Sequence, residues 1–263
     1  MKTAIKSNPT KAIFVKQLKA TIKTLESLIQ FIIFPLLAWM MGFMMNQDAM
    51  VEGFYELDLG QDMIDMLSAQ VVSSMPNMVT MQATIFIGMG LIPVVAGIIS
   101  DDMERKSIRF LSMAGVKPGQ YIRGIGGVVF LLSFFSSLAF TFIGGFFGMD
   151  TLIFMGAMMS GAVASIILGA TIGMFCGNVQ SASGLAMPFA LVLGFGPLFA
   201  QFSDTIARIW HVSYTQQLNV IADYLDFGYS GTPLWESFAI IWANIAVLGV
   251  LFALVYKKKG IVG

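Results

Sequence analysis

Residues Ser100 to Tyr121 read SDDMERKSIRFLSMAGVKPGQY, a charged stretch about one helix long between two hydrophobic segments that each have the length of a bilayer crossing. Asp101 followed three positions later by Glu104 is a capping-box-like start with acids in the first turn. Bases follow at Arg105, Lys106 and Arg109, and Asp101–Arg105 and Asp102–Lys106 are acid-before-base pairs four apart. Gly115 offers a C-terminal cap, and Pro118 prevents continuation. These signals predict a helix from about Asp102 to Ala114. Its apolar residues Ile108, Phe110, Leu111 and Met113 need a cover, whether the bilayer surface, the N-terminal segment or another protein. From physics alone, an interfacial helix without a partner and a docking helix stand equal.

Working outward, the remainder of the chain is organised around membrane crossings. Of 263 residues, 57% are hydrophobic and only 11% charged, where a soluble domain carries about a quarter charged. With a mean hydropathy of +0.80, the composition predicts an all-α polytopic membrane protein. A crossing needs about 20 apolar residues, and six segments qualify, near 28–46, 78–99, 124–148, 151–176, 183–202 and 237–256. They form a single transmembrane domain over 28–263. Met149, Asp150 and Thr151 divide the third span from the fourth. The fifth contains Pro188, Gly194, Gly196 and Pro197, so a kink or break is expected there. The apolar run starts only near Leu28 with no cleavage pattern after it, so the first span is expected to stay in the mature protein.

Residues 1–27 read as an amphipathic helix. Phe14, Leu18, Ile22, Leu25 and Ile29 recur at intervals of three or four, with Lys2, Lys6, Lys11, Lys16, Lys19 and Lys23 mainly between them. Asn8 and Pro9 suit its cap and first helical position, and its lysines should face anionic headgroups. With six crossings, one side of the membrane receives every basic residue except Arg208. The positive-inside rule makes that side cytoplasmic, both termini and the 100–123 insert included, in a multi-pass protein of the cell membrane.

The first outer segment is acidic, with Asp48, Glu52, Glu56, Asp58, Asp62 and Asp65, but acids contribute little to topology and are read as tolerated there. Met50, Met63, Met66, Met75, Met78 and Met81 could suggest soft-metal binding; among 20 methionines the group does not stand out. Gly169, Gly173 and Gly177 on the fourth span, and Gly144 and Gly148 on the third, have the four-residue spacing of close helix packing. The second outer segment, 203–236, carries Trp210, Tyr214, Tyr224, Tyr229 and Trp235, which favours short helices at the outer interface. His211 has no second histidine or cysteine nearby and reads as interfacial. Cys176, the lone cysteine, allows no internal disulfide and reads as a small hydrophobe.

The spans hold no Asp, Glu, Lys, Arg or His well inside them, and Gln82, Gln30 and Asn244 are their most polar members. That argues against an intramembrane enzyme, and proton coupling usually shows intramembrane acids. A secondary transporter driven by protons or sodium, or a membrane scaffold or immunity protein without an ATPase partner, remains as the alternative. No G-x-x-x-x-G-K-[ST] element occurs, so the chain is not expected to bind nucleotide or to be an enzyme by itself.

The basic N-terminal helix, six spans, the Glu104-Arg105 to Phe110-Leu111 segment after the second span, its continuation through Ala114-Gly115-Val116 to Arg123-Gly124, and the long outer segment before the sixth span together resemble the permease subunits of type 2 ABC exporters. The sequence differs from many members at Lys106-Ser107-Ile108, where a glycine-threonine pair is common, and at Ala114-Gly115-Val116, where a proline is. The resemblance implies a cytoplasmic coupling helix that docks on a separate ATPase. Asp101, Asp102, Glu104, Arg105, Lys106, Arg109, Phe110 and Leu111 would form that site, and the Glu104-Arg105 pair would hold it against a connecting helix carrying Phe14, Leu18, Ile22 and Leu25. It also implies two permease chains with a pathway between them, two ATPase copies holding ATP and magnesium, and no cofactor or metal on this chain. Lipid is an expected partner and nucleic acid is not. The nearly uncharged spans suggest lipophilic or amphipathic cargo such as a peptide or drug, with Gln82 a pathway contact.

Overall fold

The computed structural model describes residues 9–44, 60–227 and 232–259, and every regular element among them is helical. Pro9–Lys23 (α1) precedes Leu25–Met44 (α2). Gln61–Ile85 (α3), a π-helical turn at Phe86–Gly90 and Leu91–Glu104 (α4) form one continuous rod. The short Ser107–Met113 (α5) leads into Pro118–Ile143 (α6), Met149–Cys176 (α7) and Val179–Ala200 (α8). Asp204–Trp210 (α9), Tyr214–Phe227 (α10) and Leu234–Lys259 (α11) complete the order.

By length and composition, five stretches can each cross a membrane: Met78–Glu104, Gly119–Ile143, Met149–Cys176, Val179–Ala200 and Leu234–Lys258. A sixth crossing is reached when α1 and α2, bent by 61° at their junction, are counted together. Among the described residues the chain is therefore all-helical, with five to six candidate membrane-spanning helices.

Several boundaries differ from expectation for identifiable reasons. The third span stops at Ile143 rather than at 148, because Gly145 and Gly148 take φ of 72° and 70° and Phe146 turns inward to stack on Phe154 at 4.6 Å. Met149, Asp150 and Thr151 thus begin α7 instead of forming the turn, and Gly144 and Gly148 belong to the turn rather than to a packing face. The expected break in the fifth span is absent. α8 runs unbroken through Pro188 and Pro197, and its glycines serve close approach instead. Gly88 of the π turn lies on the α8 backbone, where an added Cβ would stand 2.8 Å from Gly194 N, and the Trp210 ring lies directly on Gly196.

The rod over α3 and α4 spans about 66 Å at 1.5 Å per residue, more than twice the hydrocarbon thickness. Part of the expected first outer loop is therefore helix: Asp62 and Asp65 sit in the first turns of α3 with Met63 and Met66 exposed beside them. Asp48, Glu52, Glu56, Asp58 and Met50 lie outside the described residues. The π turn loosens the backbone ladder, and Ser165 of α7 answers it by donating to the Ile87 carbonyl at 2.7 Å. Around it Phe86 meets Phe31, Phe34 and Phe140 at ring separations of 6.0, 5.9 and 5.7 Å.

The glycine spacing on α7 has a packing cause within one chain. A Cβ at Gly169 would come 2.6 Å from the Ile92 carbonyl oxygen, and one at Gly173 2.7 Å from that of Ala96, so α7 and α4 touch backbone to backbone. Gly177 instead caps α7 in the left-handed conformation at φ 73°.

The segment before the last span departs furthest from an interfacial reading. α10 is packed into the bundle, with Leu218, Ile221 and Ala222 buried and Tyr214 only 2% exposed. Tyr214 OH bonds Ser165 Oγ at 2.8 Å, and Thr84 Oγ1 bonds Asn219 Oδ1 at 2.7 Å, tying α10 to α7 and α3. The carbonyls exposed where α9 turns into α10 are satisfied too: Gln217 donates to His211, and Asn244 of α11 donates to Val212 at 2.8 Å. Irregular backbone packed within the bundle needs such partners. Trp235, in contrast, is exposed, and Tyr229 lies outside the described residues.

Candidate functional site

The alternating direction of the helices brings α1, the end of α4, α5 and the starts of α6 and α8 to one end of the bundle. That end carries Lys11, Lys16, Lys19, Lys23, Arg105, Lys106, Lys117 and Arg123, and α11 reaches it with Lys257 to Lys259. Arg208, on α9, belongs to the opposite end.

The stretch expected to be one helix from Asp102 to Ala114 is two pieces. Apolar Leu91 to Ile99 carries the span helix straight on through Ser100 to Glu104, so Asp101 and Glu104 fall in a helix C-terminus and cannot cap a start. The chain turns at Arg105 and Lys106, where Lys106 holds φ 58°, a conformation costly for a residue with a Cβ. α5 then begins at Ser107. Its end follows the expected chemistry: Gly115 has φ 80°, and Val116 N–H donates to the Leu111 carbonyl at 3.0 Å, the long bond of a Schellman cap. Pro118 opens α6 at its first helical position.

The charged side chains divide their partners. Arg105 Nε donates to Asp101 Oδ1 at 2.7 Å, as the four-residue spacing predicts, and this exposed bond raises the guanidinium pKa. Asp102 is turned from Lys106 to accept a hydrogen bond from Tyr121 OH at 2.7 Å, tying α4 to the first turn of α6. Lys106 is exposed. Glu104 Oε2 accepts from Val179 N at 3.1 Å, placing a carboxylate at the N-terminus of α8 where the helix dipole favours it. Asn178 caps the same end by accepting from Ser181 N at 2.8 Å. The bonds of Glu104 and Arg105 thus run to α8 and to Asp101 rather than to α1. The side chain of Arg109 lies outside the described residues.

The apolar residues of α5 separate into two sets. Ile108 is 3% exposed and Leu111 is half-buried against the core, and together they seat the helix. Phe110 and Met113 are 66% and 71% exposed. A phenyl ring and a thioether chain thus project from a helix whose other face is fixed.

α1 packs on α6 by a face turned from the expected one. Ile13 and Thr21 are buried, Phe14 and Leu18 half-buried, and Ile22 is 55% exposed. The cause lies in α6: a Cβ at Gly124 would come 2.6 Å from Ile13 Cγ2, and one at Gly127 3.3 Å from Phe14 Cδ2, so these glycines form the trough that α1 fills. Leu25 begins α2, and its side chain lies outside the described residues. The lysines of α1 remain exposed.

Gln82, expected as a pathway contact, is half-buried and donates to Met41 Sδ at 3.2 Å, joining α3 to α2. No group of three or more His, Cys, Asp or Glu able to hold a metal occurs among the described residues. Tyr121 and Val179, which complete the clasp around Asp102 and Glu104, were not legible in the sequence, because their partners lie 19 and 75 positions away. No protein-family model matches the chain, and no curated protein matches it significantly.

Proposed function

We propose that the chain is the membrane permease subunit of an ATP-driven exporter of the type 2 ABC class, with its basic end cytoplasmic in the cell membrane. One observation carries the reading: Phe110 and Met113 stand exposed on a short helix that Ile108 and Leu111 seat on the core and that follows directly on α4, whose end Asp102 ties to α6 and Glu104 to α8. An interfacial helix without a partner has no need of that anchorage, whereas a helix that must transmit a push does. Force on α5 would reach α4 through the Lys106 corner, and from the end of α4 it would pass to α6 through Asp102–Tyr121 and to α8 through Glu104–Val179. Two such chains would form the pathway, and two ATPase subunits carrying ATP and magnesium would move the α5 helices together, giving alternating access by rigid-body movement. The cargo class that suits the uncharged spans is lipophilic or amphipathic.

The test is co-purification of the chain from its native operon context, with ATP hydrolysis by whatever co-purifies as a second readout. Phe110→Asp combined with Met113→Asp should abolish association while the permease still elutes as a folded species. Leu111 is spared because its half-buried side chain seats α5. Association and transport unchanged by the double substitution would refute the docking role.

A further inference from the structure

Between α7, α8 and α11 lies a cleft of about 630 Å³, closed at one end by the turn from α9 to α10. Its volume falls in the range of small-molecule sites, roughly 300–1,000 Å³. Leu168, Phe175, Phe189, Leu193 and Leu248 supply apolar walls, and among the described residues no Asp, Glu, Lys, Arg or His lines the cleft. An ion would enter without a counter-charge, so the chemistry selects a neutral molecule.

The polar wall atoms specify more. Thr171 Oγ1 spends its proton on the Ile167 carbonyl at 2.7 Å. Asn244 spends its amide protons on the carbonyls of Val212 and Ile240, both at 2.8 Å. This leaves Asn244 Oδ1 without a hydrogen bond among the described residues, in the apolar stretch of α11 between Phe238 and Val255. Structural duty explains its donor side and not its open acceptor. A ligand bearing a hydrogen-bond donor would complete it.

We propose that this cleft binds one neutral lipophilic molecule carrying a hydroxyl or amide N–H, which donates to Asn244 Oδ1. The site lies within one chain and stands independently of ATPase coupling. The experiment uses the full chain in phosphatidylcholine nanodiscs and a long-chain alcohol bearing a diazirine, with labelled positions mapped by mass spectrometry. Saturable labelling is expected at Phe175, Phe189 and Leu248, above that at Phe135 and Trp242, which are exposed elsewhere on the bundle. Excess unlabelled alcohol should suppress it, and the corresponding methyl ether should compete about fivefold more weakly, the worth of one neutral hydrogen bond. Leu248→Trp, which fills the cleft, should lower cleft labelling several-fold; the map on the unaltered chain decides the matter if that variant does not fold. Non-saturable labelling equal at all five positions, or equally strong cleft labelling by a diazirine phosphatidylcholine, would mean bulk lipid fills the groove and would overturn the proposal. Equal competition by alcohol and ether would overturn the donor assignment.

Discussion

Gly173 sets how closely α7 can approach α4, since its missing Cβ is what lets the Ala96 carbonyl in. Gly173→Leu should lower the thermal unfolding midpoint in detergent, a cost of about 1–3 kcal/mol for overpacking a fitted contact. Gly184→Ala, inside a helix of the same bundle with nothing within 4 Å of the added carbon, should be neutral or stabilising by up to about 1 kcal/mol. Equal effects would show that this contact is not the constraint. Asp223 makes a different test. Burial raises its carboxyl above the ordinary value, so its stabilising contribution is fully present below about pH 3.9 and is lost as pH rises through the folded value. Asp223→Asn should therefore stabilise the protein at pH 7, with the gain shrinking toward pH 4. A gain independent of pH would contradict burial as the cause.

The corner between α4 and α5 shows at the element scale what was legible in the sequence. Gly115 and Pro118 announced the end of α5 because caps act locally. The start was misplaced because Asp101 and Glu104 look like an N-terminus only if the span stops at Ser100, and the apolar run behind them carries the helix onward. Lys106→Gly should stabilise this corner by about 1 kcal/mol, the penalty of left-handed backbone, read as a higher unfolding midpoint; an unchanged or lower one would show that the lysine side chain compensates for its backbone. The face of α1 was set by Gly124 and Gly127 on a distant helix, which periodicity within α1 cannot reveal. α10 was hidden for a related reason. It is too short and polar to read as a span, and Gln217, Asn219 and Tyr214 become intelligible only through His211, Thr84 and Ser165.

For the molecule as a whole, the apolar segments were visible because a crossing needs a minimum length, whereas bundle order and the π turn depend on contacts far apart in sequence. The inferred orientation is open to test in intact cells carrying Cys176→Ala. A membrane-impermeant maleimide should label Thr205→Cys and Asp150→Cys while leaving Lys16→Cys and Lys258→Cys protected until the membrane is permeabilised. The reverse pattern would invert the topology and remove α5 from the cytoplasm. The proposed contact of α5 with an ATPase is tested most directly by in-cell crosslinking from a photoreactive amino acid at Phe110. The predicted result is a covalent adduct with a separate protein carrying the nucleotide-binding G-x-x-x-x-G-K-[ST] loop. Adducts with lipid alone, in cells that express such an ATPase beside this chain, would contradict it.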